Sequence, residues 1–434
     1  MRGVRSLIVL LVIAIPLGWY ALHESKQPAT SDTNQEKVFP DLKADAIDQV
    51  TVKSASGDRT TAIKKGSDWE LSQPLSVKAD QAELSGITSN LASLEVQRVI
   101  DEQPTDLKQY SLDPARIEID FRSGGRDHKL LLGQKTPTAS DMYAKLPDKP
   151  RVFLIASYLD TTFNRSTFDL RDKTVLAFDR DKVDRVTLKD AKRTIALAKQ
   201  GADWALTSPV EARADFSTVE GLVGRINTAQ MKAITSTDAS DLKQYGLDAP
   251  ASTITIASGS ATASLAIGKK ADDGTVYAKD ASRPLVFTID SAIADDMAKP
   301  IDDFRQKDLF DARSFNTTRI EIVRNGQTRA FERAGDKWKQ VAPDAKDVDA
   351  AKVDALLTAL TSARATGFVE KSANTGLDKP EIGVTIKYEN GQKTEHVDFG
   401  KHASDVFAQR QGEQGVAKVD AATFDAIVKA LDGV

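Results

Sequence analysis

Gly66-Ser67-Asp68-Trp69 is answered by Gly201-Ala202-Asp203-Trp204 and again by Gly335-Asp336-Lys337-Trp338. The three tryptophans stand 135 and 134 residues apart. Four more landmarks keep the same order around them. An Asp follows each Trp at a fixed offset: Asp80, Asp215 and Asp349. Next comes Tyr110-Ser111-Leu112-Asp113, then Tyr245-Gly246-Leu247-Asp248, degraded to Thr375-Gly376-Leu377-Asp378 in the third copy. A Gly read as closing a strand follows (Gly133, Gly268, Gly400), and then an aromatic-Ala pair: Tyr143-Ala144, Tyr277-Ala278, Phe407-Ala408. The period far exceeds the roughly 20–50 residues of solenoid repeats, so each copy is domain-sized. The chain is read as three tandem homologous modules, 41–178, 179–315 and 316–434, behind an N-terminal segment 1–40.

Composition narrows the function classes. The 59 basic and 63 acidic residues leave a net charge of −4, which argues against nucleic acid as a partner. The chain has no cysteine. Thiolate catalysis, cysteine-zinc sites, iron–sulfur clusters and lipoprotein acylation are therefore excluded, and an oxidising compartment fits.

Arg2 and Arg5 precede an apolar run, residues 6–22, that ends in Trp19, Tyr20, Ala21 and Leu22. At about 1.5 Å per residue this run is at the short end of what crosses a bilayer, and interfacial aromatics belong at its far end. The rival is a cleavable signal peptide, but cleavage after Ala21 would place Trp19 where a small residue is required. The N-terminal arginines put the N-terminus in the cytoplasm and the bulk of the chain in the periplasm. Residues 23–35 are polar and aperiodic and read as a tether.

Within each copy the pattern opens on a hairpin. Ile320 to Arg324, Asn325-Gly326 and a run to Phe331 form the clearest case, because both turn residues tolerate positive φ. The Trp begins a third strand. Asp80 is predicted to cap a helix, with Glu83 completing a capping box. Leu84, Ile87, Leu91 and Leu94 supply its apolar stripe, matched by Val219, Leu222, Val223 and Ile226 and by Val353, Leu356, Leu357 and Leu360. A second hairpin alternates Ile117, Ile119 and Phe121 with polar residues, as do Val384, Ile386 and Tyr388. Two short strands surround Tyr143 and 152–155, and a short helix closes the copy, clearest over 423–431. Strands joined by hairpins and outnumbering helices predict an α+β fold with largely antiparallel sheets, preceded by one transmembrane helix.

These phrases resemble the bacterial domain-of-unknown-function family 4340. An anchor is followed by Gly-x-Asp-Trp-x-Leu (66–71), Tyr-x-Leu-Asp (110–113), Leu-Gly-x-Lys (132–135) and Tyr-Ala-Lys (143–145), repeated at 201–206, 245–248, 267–270 and 277–279. The resemblance brings no catalytic residues. It implies an envelope accessory role, because members accompany ABC transporters of the gliding-motility auxiliary type.

Each chemical candidate has a simpler reading beside it. The recurrent Trp suits a ligand platform or, more simply, core filling. The glycine-lysine phrases at 132–135, 267–270 and 399–402 lack the spacing and the Ser/Thr of a phosphate loop. His23, His128, His396 and His402 show no metal-ligand spacing. No Gly-x-Ser-x-Gly elbow exists, which leaves open only a Ser-His-Asp triad assembled by the fold. Tyr143 and Tyr277 suit a repeated groove or ordinary strand packing. Asp295-Asp296 and Asp302-Asp303 read as helix-face charges rather than a glycosidase pair. No catalytic, cofactor-binding or metal residue is assigned, and no cofactor is expected.

The expectation is a non-catalytic, single-pass protein of the bacterial inner membrane, anchored through residues 6–22. It would contact an envelope protein partner, such as ABC transporter subunits, from the periplasm. The alternatives are a ligand-binding module for glycans or a transported substrate in clefts between modules, and an envelope hydrolase.

Overall fold

The computed structural model describes residues 36–238, 240–369 and 374–434. The anchor and tether expected over residues 1–35 lie outside them. Among the described residues no helix is long and apolar enough to cross a membrane. The chain forms two compact units, the first ending at Lys173 and the second spanning Thr174–Val434.

The first unit is built on one nine-stranded antiparallel sheet. Its strands are β1 (Ile47–Lys53), β2 (Arg59–Lys65), β3 (Asp68–Gln73), β4 (Val77–Lys78), β5 (Arg98–Asp101), β6 (Ile117–Ser123), β7 (Arg126–Lys135), β8 (Asp141–Lys145) and β9 (Val152–Ala156). They lie in the order β4-β3-β2-β1-β6-β7-β8-β9-β5. The helices are α1 (Gln81–Ala92), α2 (Leu159–Phe163) and α3 (Thr167–Leu170). The second unit holds two more sheets of nine strands in the same order, running from Arg185–Asp190 to Val286–Ile289 and from Thr317–Arg324 to Val416–Val419. The fold is α+β with three antiparallel sheet modules, as the pattern predicts.

Period-two alternation sends one face of each sheet into the core. Ile117, Ile119 and Phe121 are buried and cluster with Val50, Val52 and the α1 residues Leu84, Ile87 and Leu91. Leu94 belongs to the same core but lies beyond the end of α1, which stops at Ala92. The third module repeats the arrangement with Ile320, Val384, Ile386, Val353, Leu357 and Leu360. Asn325 and Gly326 adopt φ of 51° and 75°, the hairpin turn their types demand. The tryptophans stand second in their strands and are only 4%, 2% and 2% exposed. Trp204 Nε1 donates to Glu220 at 2.9 Å and Trp338 Nε1 to Asp354 at 2.9 Å, both carboxylates on the covering helix. A cation lies over each ring: Lys64, Lys199 and Arg333.

Asp80, Asp215 and Asp349 cap their helices through backbone N–H groups. The reciprocal half of the expected capping box is replaced, because the Glu83 carboxylate turns to Arg165 at 2.8 Å. The capping box of the first unit instead joins Ser166 and Asp169 at α3.

Backbone pairing marks where each module starts, ahead of residues 41, 179 and 316. Val38 N–H donates to Leu94 and Val96 N–H to Glu36, and Val38 and Phe39 are buried in the first core. Val175 N–H donates to Ala229, and Leu309 N–H to Ala363. Chain exits are paired too. Leu170–Asp172 lies along the β4 edge, with Asp80 N–H donating to Leu170 and Asp172 N–H to Lys78. Phe304–Gln306 does the same at Asp215 and Arg213.

Candidate functional site

The strand glycines and the Tyr-x-Leu-Asp phrases, distant in sequence, meet in space. Gly133 is not at a strand end, as expected, but inside β7, which runs on to Lys135. A β-carbon there would stand 2.0 Å from the Tyr110 carbonyl oxygen; on Gly268 it would stand 2.2 Å from that of Tyr245. The tyrosine phrase forms a 3-10 turn laid on the strand, Lys108–Tyr110 in the first copy. The Tyr110 ring packs on Tyr143 at 4.9 Å, and Tyr245 on Tyr277 at 5.1 Å. The lysines of Tyr-Ala-Lys close a turn. Lys145 Nζ donates to the carbonyls of Leu146 and Lys149, and burial pushes its pKa down. Lys279 donates likewise to Asp280 and Arg283. Lys135 and Lys401 reach Asp160 and Asp425 on the closing helices, each at 3.7 Å. Each recurrent residue thus has a packing, capping or turn partner in its own module.

His128 stacks on Phe121 at 5.0 Å. His396 sits between Thr385, 2.8 Å from Nδ1, and Asp398, 3.1 Å from Nε2. These residues have the composition of a triad, but they stand in cross-strand positions on one sheet, and neither hollow described below includes them. Asp296 is held below the ordinary carboxylate range: partial burial opposes this, but Lys299 and Arg225 bind it at 2.8 and 2.6 Å. Asp303 pairs with Lys307 at 3.3 Å. Among the described residues no group of three or more His, Asp or Glu could hold a metal ion.

The densest electrostatics lie within the second unit, between its two sheets. Glu395 is buried and accepts the N–H groups of Asp311 and Ala312, each at 2.9 Å, together with the Arg410 guanidinium. Arg410 also holds Asp311 at 2.9 Å. From the neighbouring module Arg213 reaches across to Glu413 and Asp311 and donates to the Asp308 carbonyl at 2.7 Å. Burial opposes its charge, yet Glu413 and Asp311 hold Arg213 above the ordinary guanidinium pKa. Arg305 donates to the Gln414 carbonyl at 3.0 Å and lies over the Phe368 ring at 3.6 Å. Gln414 N–H donates to the Glu211 carbonyl at 2.7 Å. Sequence inspection misses this network. Arg213 and Glu413 are 200 residues apart, and neither belongs to a repeated phrase.

Two hollows accompany these features. In the first unit a cavity of about 1010 Å³ opens beside Phe39, Phe121 and His128. Its lining charges cancel: Arg59, Arg126, Lys129 and Lys149 against Asp41, Asp120, Asp127 and Asp148. In the second unit a groove of about 630 Å³ lies between the two sheets. Five carboxylates (Asp203, Glu211, Asp311, Glu389 and Glu413) line it against Arg213 and Lys393.

The family described as Domain of unknown function (DUF4340) matches residues 69–205 and 204–380. The chain belongs to this family. The first match runs from Trp69 to just past Trp204 and the second from Trp204 past Trp338 to Pro380, so each begins inside the third strand of a module, out of phase with the folded modules. No curated protein and no solved structure matches the chain.

Proposed function

We propose that this family member is a membrane-anchored, periplasmic, non-catalytic interaction protein, an accessory of an envelope ABC transporter system. The observation that carries this reading is where the recurrent residues go. Trp, N-cap Asp, strand Gly and Tyr are all occupied within their own modules, so the repetition supplies three similar scaffolds rather than an asymmetric cluster of reactive groups. The sheet face away from the core holds cross-strand polar pairs, such as Glu118 between Lys53 at 2.7 Å and Lys129 at 2.6 Å. Three modules on one tether bring several weak contacts to a partner in the same bilayer, where effective concentration turns them into avidity. The transporter assignment comes from the family resemblance, and the address from Arg2, Arg5 and residues 6–22.

The test is affinity recovery from detergent-solubilised membranes, comparing the full chain with a form lacking the third module and an exported form lacking residues 1–22. Each deletion is expected to weaken partner recovery. Turnover of an envelope substrate by the exported form, abolished by one Asp, Ser or His substitution that leaves it folded, would replace this reading with an enzyme.

A further inference from the structure

The groove in the second unit differs from the corresponding place in the first module. There the first residue of α1, Gln81, closes the β3 edge: its Oε1 accepts from Trp69 N–H at 2.7 Å, and its Nε2 donates to the Trp69 and Ala79 carbonyls at 2.9 Å each. In the second module that position is Phe216, which has no polar side-chain atom and is 48% exposed at the side of the groove. With Tyr388 on the opposite wall it gives the groove an aromatic side chain on each side.

The charges indicate which ligand fits. Arg213 is fully engaged by Glu413, Asp311 and the Asp308 carbonyl, and Lys393 is paired with Glu389 at 2.9 Å. An anion would meet no free cation on these walls. Asp203, close to Lys393, and Glu211, whose Oε2 accepts from Gln414 Nε2 at 3.5 Å, are exposed carboxylates at the rim. The groove is partly open to solvent, which lets a chain enter and leave it. It suits a chain that lays a basic side chain against Asp203 and Glu211 and apolar ones against Phe216 and Tyr388.

We propose that this groove, between Asp203, Glu211 and Phe216 on one side and Tyr388 on the other, binds an extended segment of a partner protein carrying lysine or arginine beside apolar side chains. The inference deepens the contact reading and rests on it.

The test uses the full chain in neutral detergent and two fluorescein-labelled octapeptides, one alternating Lys and Val, the other Glu and Val, read by fluorescence anisotropy. The Lys-Val peptide is expected to bind, more weakly as salt rises, and the Glu-Val peptide is not. Asp203→Lys with Glu211→Lys should weaken binding by about tenfold or more, as removal of complementary charge does. Phe216→Gln, which restores the edge-closing residue of the first module, should weaken it at least about threefold at unchanged melting temperature. Asp120→Lys, on the first unit, should change nothing. Absence of binding, equal binding of both peptides, or indifference to the groove substitutions overturns the proposal. Partner recovery from membranes by a chain that ignores the Lys-Val peptide would sink the groove assignment alone. Peptide binding without any recovered partner would sink the wider contact reading instead.

Discussion

A β-carbon on Gly133 would stand 2.0 Å from the carbonyl oxygen of Tyr110. Two landmarks of the repeat are thus halves of one contact: the tyrosine turn lies on the strand only where the strand has no side chain. Gly133→Ala and Gly268→Ala should each destabilise their module by roughly 1–3 kcal/mol, the usual cost of overpacking. Gly86, inside α1, has open space where a β-carbon would stand, with nothing within 4 Å, so Gly86→Ala should stabilise by about 0.5–1 kcal/mol. Calorimetric melting of the three variants checks the contrast, and a neutral Gly133→Ala would remove the argument.

Trp204→Ala should cost roughly 3–5 kcal/mol, as truncation of a buried aromatic does. Trp204→Phe should cost less, because it keeps most of the volume and loses the 2.9 Å hydrogen bond to Glu220. Denaturant titration of both variants gives the ranking; equal losses would mean that the hydrogen bond, not packing, dominates.

Arg213→Met keeps the bulk of the side chain but leaves Glu413 and Asp311 to Arg410 alone. The network is partly exposed and Arg410 remains, so the cost should fall below the roughly 3–5 kcal/mol of breaking a fully buried pair. The second unit should then lose its common melting transition and resolve into two, one for each sheet. A single unshifted transition in the calorimeter would show that the network does not couple the sheets.

Asp80 supplies a pH-dependent contribution to the first unit. Partial burial works against its ionisation, but Lys173 and the N–H groups of Glu83 and Ala82 hold its pKa below the ordinary 3.8. A carboxyl lowered in the folded state stabilises fully above its unfolded pKa, and that stabilisation disappears as pH falls through the folded value. Asp80→Ala should therefore cost about 0.5–2 kcal/mol near pH 6, with the gap to the parent closing below about pH 3.8. A gap that stays constant down to about pH 2.5 contradicts the assignment.

The parts of the fold legible in the sequence are those built from local spacing. The Trp strand, the Asp caps, the Asn325-Gly326 turn and the helix stripes each depend on residues a few positions apart. The position of Gly133 is easily misread, because a glycine that ends a strand and one that admits a crossing turn look alike in sequence; only the Tyr110 carbonyl distinguishes them. Glu83 has the spacing of a capping box, yet Arg165, remote in the chain, offers a full charge where the box offers one N–H. The Arg213–Glu413–Asp311 network leaves no signal at all, because its members lie on different modules and outside every repeated phrase. Phe216 is visible only as a hydrophobic residue at a helix start, and nothing in the sequence marks it as exposed.

The short stretch between Arg305, bridged to Ala214, and Asp308, bridged to Arg364, bears on how such a chain lengthens over evolutionary time. Both bridges are main chain to main chain, and a peptide group pairs without regard to the side chain it carries. A duplicated copy can therefore be joined at this junction through its backbone, and the two junctions of this chain also keep a matching pair of side chains, Arg171 and Lys173 answered by Arg305 and Lys307.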